Sequence, residues 1–159
     1  MNCAGLSTKR GESVSTALVV DASVLAPLLL TVGGKLVYAL RKIEFNILEL
    51  TIYEVCNAFW KECTKLGRLS VDEVIEACDL MASLIKFMKV WSISEIGTVT
   101  IQRIAIDTNI TFYDASYIHL ARKLNFPIAT EDSDIISVAP KYNVELLRLK
   151  DTLNLMEKI

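Results

Sequence analysis

Asp21, Glu54, Asp114 and Asp132 are the residues of this chain whose types and positions suit chemistry. Asp21 closes the apolar run Ala17-Leu-Val-Val, and Asp132 follows the short segment Pro127-Ile-Ala-Thr130. Glu54 and Asp114 each lie three positions after a threonine, Thr51 and Thr111. Carboxylates gathered in one place can hold one or two hard divalent ions such as Mg²⁺ or Mn²⁺, which prefer oxygen ligands and usually retain water. Ions held in this way neutralise a phosphate, stabilise a leaving oxygen and lower the pKa of an attacking water. A lysine or histidine base is then unnecessary, which suits a chain with a single histidine, His119.

Each acid also has a local reading. Thr51-x-x-Glu54 and Thr111-x-x-Asp114 both fit a helix capping box, in which the acid reaches back to a backbone N–H. Asp132, or Ser133 after it, fits the cap of a short helix over Ser133–Ala139. Asp21 differs, because a carboxylate that ends a buried strand has no obvious local donor. Such a charge costs several kcal/mol in a dry site unless something positive pairs with it. No lysine or arginine occupies a comparable strand end, and a divalent cation is the simplest partner.

The elements that must position these acids follow from the hydropathy pattern. The run to Asp21 reads as a buried parallel strand. Ala22–Thr31 reads as a helix with Pro27 inside it, Gly33-Gly34 as a break, and Lys35–Lys42 as a short helix. Phe45–Leu50 is a second strand. Thr51–Leu66 is a helix whose Ile52, Val55, Phe59, Cys63 and Leu66 share one face, with Gly67 as its terminator. Ser70 and Glu73 form a capping box for the next helix. Val90–Ile93 is a strand, Glu95–Thr108 and Tyr113–Leu124 are helices, and Pro127–Thr130 and Val144–Leu149 are the last strands. Strands alternating with helices imply an α/β fold in three layers, α/β/α, around a central parallel sheet of four or five strands. In such a sheet ligands collect outside the carboxyl ends of the strands, where these acids fall.

Composition narrows the class. The 159 residues are 52% apolar and 23% charged, enough to build one core and to exclude disorder. Lys and Arg number 17 against 19 Asp and Glu, so the basic footprint usual for nucleic-acid binders is missing. Cys3, Cys56, Cys63 and Cys78 form no C-x-x-C pair and read as free thiols in a reducing cytoplasm. Lys9 and Arg10 ahead of Ala17–Val32 imitate a signal peptide, but Asp21 and Pro27 interrupt the apolar stretch. No uncharged run approaches the ~18 residues of a membrane span. The expectation is a cytoplasmic protein without a membrane partner.

The acids lie in segments that resemble a known family. Val19-Val-Asp21-Ala-Ser23-Val-Leu resembles the opening strand and turn of PIN-domain ribonucleases. Thr51-x-x-Glu54-x-x-Asn57-Ala resembles their second acidic motif, and Thr111-Phe-Tyr113-Asp114-Ala115-x-Tyr117-x-x-Leu120-Ala121 their third. Ile128-Ala-Thr130-Glu-Asp132 is similar to the fourth. The four occur in family order, and the Tyr-Asp-Ala-x-Tyr segment is the most specific of them. The small size and the helix pair after Glu54 resemble toxin subunits of the VapC type.

The resemblance implies a PIN fold and Mg²⁺- or Mn²⁺-dependent endonucleolytic cleavage of RNA. Asp21 and Asp114 would be direct metal ligands, and Glu54 and Asp132 would complete the set. Ser23 and Thr130 would give hydroxyl support at the rim, and Asn57 an amide one turn from Glu54. Asp134, two positions beyond Asp132, could share the fourth place. A homodimer silenced by a cognate antitoxin is implied as well. Residues 1–16 read as a flexible leader, 17–150 as the nuclease domain and 151–159 as a C-terminal tail.

Other residues carry weaker signals, and other functions fit the sequence less well. His119 follows Asp114 by five residues, about 140° around a helix, and so faces away from it. Trp60 and Trp91 suit either packing or base stacking, and Tyr117 either packing or an approach to the site. Lys35, Arg41, Lys42, Lys61, Lys65, Arg68 and Arg103 are scattered candidates for RNA contact. Alternatives are a PIN-like module that binds RNA or protein without cutting, and a housekeeping RNA-processing nuclease. A phosphoacceptor receiver domain lacks the acid on a middle strand and the lysine on a late one that it would need.

Overall fold

The computed structural model describes residues 16–158. Five strands form one sheet, all parallel: β1 (Thr16–Val20), β2 (Ile43–Leu48), β3 (Lys89–Trp91), β4 (Ile128–Ala129) and β5 (Leu146–Leu147), in the order β3-β2-β1-β4-β5. The leader expected over 1–16 lies outside the described residues except for Thr16, which begins β1.

Side chains alternate across each strand, and that alternation builds the layers. Leu18 and Val20 of β1 point into one core with Ile43, Phe45 and Ile47 of β2, while Val19 points into the other. The first core is covered by α1 (Ala22–Val32), α2 (Leu36–Leu40), α3 (Glu49–Thr64) and α4 (Val71–Leu84). The second is covered by α5 (Ile93–Ile96), α6 (Val99–Thr108), α7 (Phe112–Leu124) and α8 (Ser133–Val138). The expected α/β/α sandwich around a parallel sheet is therefore the observed architecture.

Several boundaries differ from expectation for local reasons. α3 begins at Glu49, not Thr51, because the Thr51 hydroxyl accepts the Leu48 amide at 3.1 Å and so closes the first turn. Thr51 thus sits inside the helix, and the capping box expected between Thr51 and Glu54 does not form. The helix expected over Glu95–Thr108 is two, α5 and α6, separated at Gly97, whose φ of 83° only glycine adopts cheaply. Residues 151–159, expected as a tail, fall largely within α9 (Leu149–Glu157), where Thr152 is buried and Leu153, Leu155 and Met156 pack on the first core. The capping box at Ser70 and Glu73 forms as expected, with the Ser70 amide donating to Glu73 at 2.8 Å.

The stretch Ala22–Leu40 is long and apolar enough to cross a membrane by length and composition alone. Here it breaks at Gly33 and lines the core with Leu25, Leu28, Leu29 and Leu36, all buried. Cys56, Cys63 and Cys78 are free thiols.

Candidate active site

Asp21 leaves the carboxyl end of β1 and is buried, 5% exposed. Its Oδ2 accepts hydroxyl protons from Ser23 at 2.5 Å and Thr130 at 2.8 Å. Thr130 follows β4, the strand paired to β1, so the sheet register itself brings this hydroxyl to Asp21. The two hydroxyls also bind the loop beyond β4: Thr130 accepts from the Asp132 amide at 3.0 Å and Ser23 from the Glu131 amide at 2.9 Å. Burial pushes the Asp21 carboxyl above its ordinary range; the hydroxyl bonds oppose this, and the Asp132 charge adds to it.

Glu54 reaches the same region from the second turn of α3. Its Oε2 accepts from the Tyr117 hydroxyl at 2.6 Å. Tyr117, 1% exposed on α7, in turn lies 2.8 Å from the Thr51 hydroxyl. The proton directions close consistently: the Leu48 amide donates to Thr51, Thr51 to Tyr117, and Tyr117 to the Glu54 carboxylate. Burial raises the Glu54 pKa, Tyr117 opposes this, and the charges of Asp21, Asp114 and Asp132 raise it further.

Asp114 stands in the first turn of α7, where its amide donates to the Thr111 hydroxyl at 3.1 Å and its Oδ2 accepts from that hydroxyl at 2.6 Å. The capping box expected here forms only by half, since the Asp114 carboxylate takes the hydroxyl rather than the backbone of Thr111. Its pKa is raised by burial and by the charges of Asp132, Asp134 and Asp21. Asp132 caps α8, with Oδ1 accepting from the Asp134 amide at 2.8 Å and the Ile135 amide at 3.2 Å. The local capping reading of Asp132 is thus realised, and it occupies one oxygen only.

The structure brings Asp21, Glu54, Asp114 and Asp132 into one electrostatic neighbourhood at the carboxyl edge of the sheet. The ion pairs Arg68–Glu62 and Arg148–Glu131 involve other carboxylates. Ser23 and Thr130 stand against Asp21, and Asp134 is close enough to act on Asp114. Asn57 is exposed on α3, and no hydrogen bond joins it to Glu54. His119 faces away, its Nε2 lying 3.0 Å from the Ile96 carbonyl. Tyr117 is the residue whose role sequence spacing left open, and its contact with Glu54 decides it.

The donor set fits a hard divalent cation. All four groups are carboxylates, and the bonds above leave the second oxygen of Glu54, Asp114 and Asp132 without a hydrogen bond among the described residues. The oxygens do not close on one another: among the described residues, no three His, Cys, Asp or Glu side chains form a ready chelate. Mutual repulsion between bare carboxylates favours that spacing.

No family model matches the chain. Among curated proteins, Exonuclease VapC9 of Pyrobaculum aerophilum is 33% identical over 94 residues, 59% of this chain and 66% of that protein. The chain therefore spans just under two thirds of that relative's length. Ribonuclease VapC3 of the same organism is 32% identical over 127 residues, 77% of this chain and 95% of that protein. Among solved structures, the P. aerophilum protein PAE2754 superposes with a TM-score of 0.69 at 27% identity, over 91% of this chain and 92% of its own. VapBC2 of Rickettsia felis, solved bound to a promoter DNA fragment, shares the fold with a TM-score of 0.56 at 10% identity, over 84% of this chain and 98% of its own. With this similarity to VapC3 over nearly its full length, and with the acids at the carboxyl edge of a five-stranded parallel sheet, the chain belongs to the VapC family.

Proposed function

We propose that this protein is a divalent-metal-dependent endoribonuclease and the toxin of a type II toxin–antitoxin pair. The observation that supports the proposal is the placing of Asp21, Glu54, Asp114 and Asp132 at the carboxyl edge of the sheet, where burial raises the Glu54 pKa and the charges of the other three acids raise it further. Repulsion of that kind is costly to retain unless a cation relieves it.

Asp21 and Asp114 would hold Mg²⁺ or Mn²⁺ directly, with Glu54 and Asp132 completing the set. The chemistry such an ion supplies when bound is charge neutralisation at the phosphate and a lower pKa for an attacking water. The protein's own contribution is orientation. Ser23 and Thr130 fix the Asp21 carboxylate, Tyr117 fixes Glu54, Thr111 fixes Asp114, and the amides at the start of α8 fix Asp132. These bonds restrict each carboxylate before substrate arrives, and closing on an ion would bring the remaining oxygens together.

The names of the curated relatives support nuclease activity, one as an exonuclease and one as a ribonuclease. The fold shared with the VapBC2 toxin–antitoxin complex supports an antitoxin as partner. Homodimer formation is proposed with it, and the exposed Val99 and Ile106 on α6 are apolar surface that a second copy would cover.

A circular single-stranded RNA with no free end tests the reading, incubated with Mg²⁺, with Mn²⁺ or with EDTA. Linear product in either metal and none in EDTA is the expected result. Degradation restricted to linear RNA makes the enzyme an exonuclease, and turnover in EDTA removes the metal from the proposal.

A further inference from the structure

Beside the carboxylates lies a recess of about 160 Å³ that the cluster itself does not use. Its walls are the first turns of the two helices that carry Glu54 and Asp114. Leu48 ends β2 and caps α3, Glu49 and Leu50 open α3, and Phe112 and Tyr113 immediately precede Asp114 on α7. Trp91 and Ile93 close the far side. The volume is below the ~300 Å³ at which sites for drug-sized molecules begin, so it suits one ring system rather than a whole nucleotide.

Two features around the recess match an RNA strand. Lys89 Nζ stands 4.5 Å from the centre of the Trp91 ring and Lys123 Nζ, which donates to the Glu95 carbonyl at 2.6 Å, stands 5.9 Å from it, so two cations border the recess within reach of a bound strand's phosphates. The exposed ring of Tyr113 and the exposed side chain of Ile93 leave apolar surface open at the mouth. Aromatic surface next to cations is the combination that binds single-stranded nucleic acid through base stacking and phosphate contact.

We propose that this recess seats an unpaired nucleobase of the substrate RNA, holding the strand against the carboxylates through Tyr113, Ile93 and Trp91. The proposal rests on the ribonuclease reading and adds to it the feature that selects single-stranded RNA. A base in a duplex is stacked and paired and does not enter a recess of this size. The basic surface missing from the composition is thereby replaced in part by stacking.

The full chain carrying Trp60→Phe leaves Trp91 as the sole tryptophan, and its emission reports on the recess. Titration with short single-stranded RNAs in EDTA, each carrying one abasic position, separates binding from cleavage. We expect saturable quenching of Trp91 and an affinity loss of about tenfold when one particular position is abasic, in keeping with the loss of one stacked base. Tyr113→Ala, at an exposed position, should cause a similar loss and make the abasic position silent. Equal tolerance of abasic sites everywhere overturns the proposal, as does quenching by a protein partner alone while RNA binds unchanged. If such RNA binds and is cleaved, the nuclease reading survives that failure. If RNA is neither bound nor cleaved, both readings fall.

Discussion

The hydroxyl of Tyr117 donates to Glu54 Oε2 at 2.6 Å, joining α7 to α3 across 63 positions of sequence. The same hydroxyl accepts from Thr51, so one buried phenol both orients an acid of the site and ties two helices of opposite layers together. Tyr117→Phe keeps the packing and removes the bond. A hydrogen bond to a charged group contributes about 1.5–3 kcal/mol, and chemical denaturation should show a loss of that order. Because Tyr117 holds the Glu54 pKa down against burial, cleavage by the variant should need a higher pH than the wild type. An unchanged pH profile would show that the bond is only structural.

Asp21→Asn and Asp114→Asn should each reduce cleavage by more than the ~10–100-fold that losing a partner of a metal ligand costs. Folding should be retained in both. Asp114→Asn removes one of the charges acting on Glu54 and should raise the melting temperature of the metal-free protein. Circular dichroism melts in EDTA, read beside initial cleavage rates, check both parts.

Thr130→Val leaves Asp21 without one of its hydroxyl donors and the Asp132 amide without its acceptor. The expected cost is about 10–100-fold in metal affinity, with a smaller effect from Ser23→Ala if Thr130 still holds Asp21. Mn²⁺ titrations of the two variants and the wild type give the comparison directly.

Stability of the metal-free protein should respond to pH in a specific direction. Asp21, Glu54 and Asp114 have folded pKa values raised above their ordinary 3.8, 4.5 and 3.8, so the folded state holds more protons than the unfolded state just above those values. The contribution of these acids to stability therefore falls as pH rises from the ordinary values through the raised ones, and levels off above them. Glu131 acts oppositely, because Arg148 and the Leu149 amide hold its carboxyl low, and its contribution is lost on acidification. Wild type minus Asp114→Asn isolates the site: the variant should gain on the wild type as pH rises from 4 towards neutrality, measured in EDTA at about constant ionic strength. No pH dependence in that difference contradicts the shared field.

Added Mn²⁺ should raise the melting temperature of the wild type, by about 2.7 kcal/mol of stability at a hundred times its dissociation constant. Asp21→Asn should abolish most of that rise.

Much of the fold was legible because local signals and the global layers agree. Leu18 and Val20 face one core and Val19 the other, and a continuous apolar run is what a strand covered on both faces requires. Asp21 stood out for the same reason, as a charge at the end of such a run. The start of α3 was not legible, because Thr51 serves from inside the helix as acceptor for Leu48, a role that sequence spacing does not separate from a cap. Gly97 carried a readable signal, and the amphipathic pattern running through it concealed the break between α5 and α6. The link from Tyr117 to Glu54 depends on where two helices land on the sheet, and spacing within either helix says nothing of it. Asn57, one turn from Glu54 along α3, is exposed and makes no hydrogen bond to it, and spacing alone does not distinguish a rim amide from a solvated one.

The most direct measurement is anomalous diffraction from crystals grown with Mn²⁺. An anomalous peak bonded to the carboxylates of Asp21 and Asp114, and absent from crystals of Asp21→Asn, is the predicted result. Mn²⁺ bound only at other carboxylates, in a protein that still cleaves RNA, would contradict the claim that these acids form a metal-dependent nuclease site.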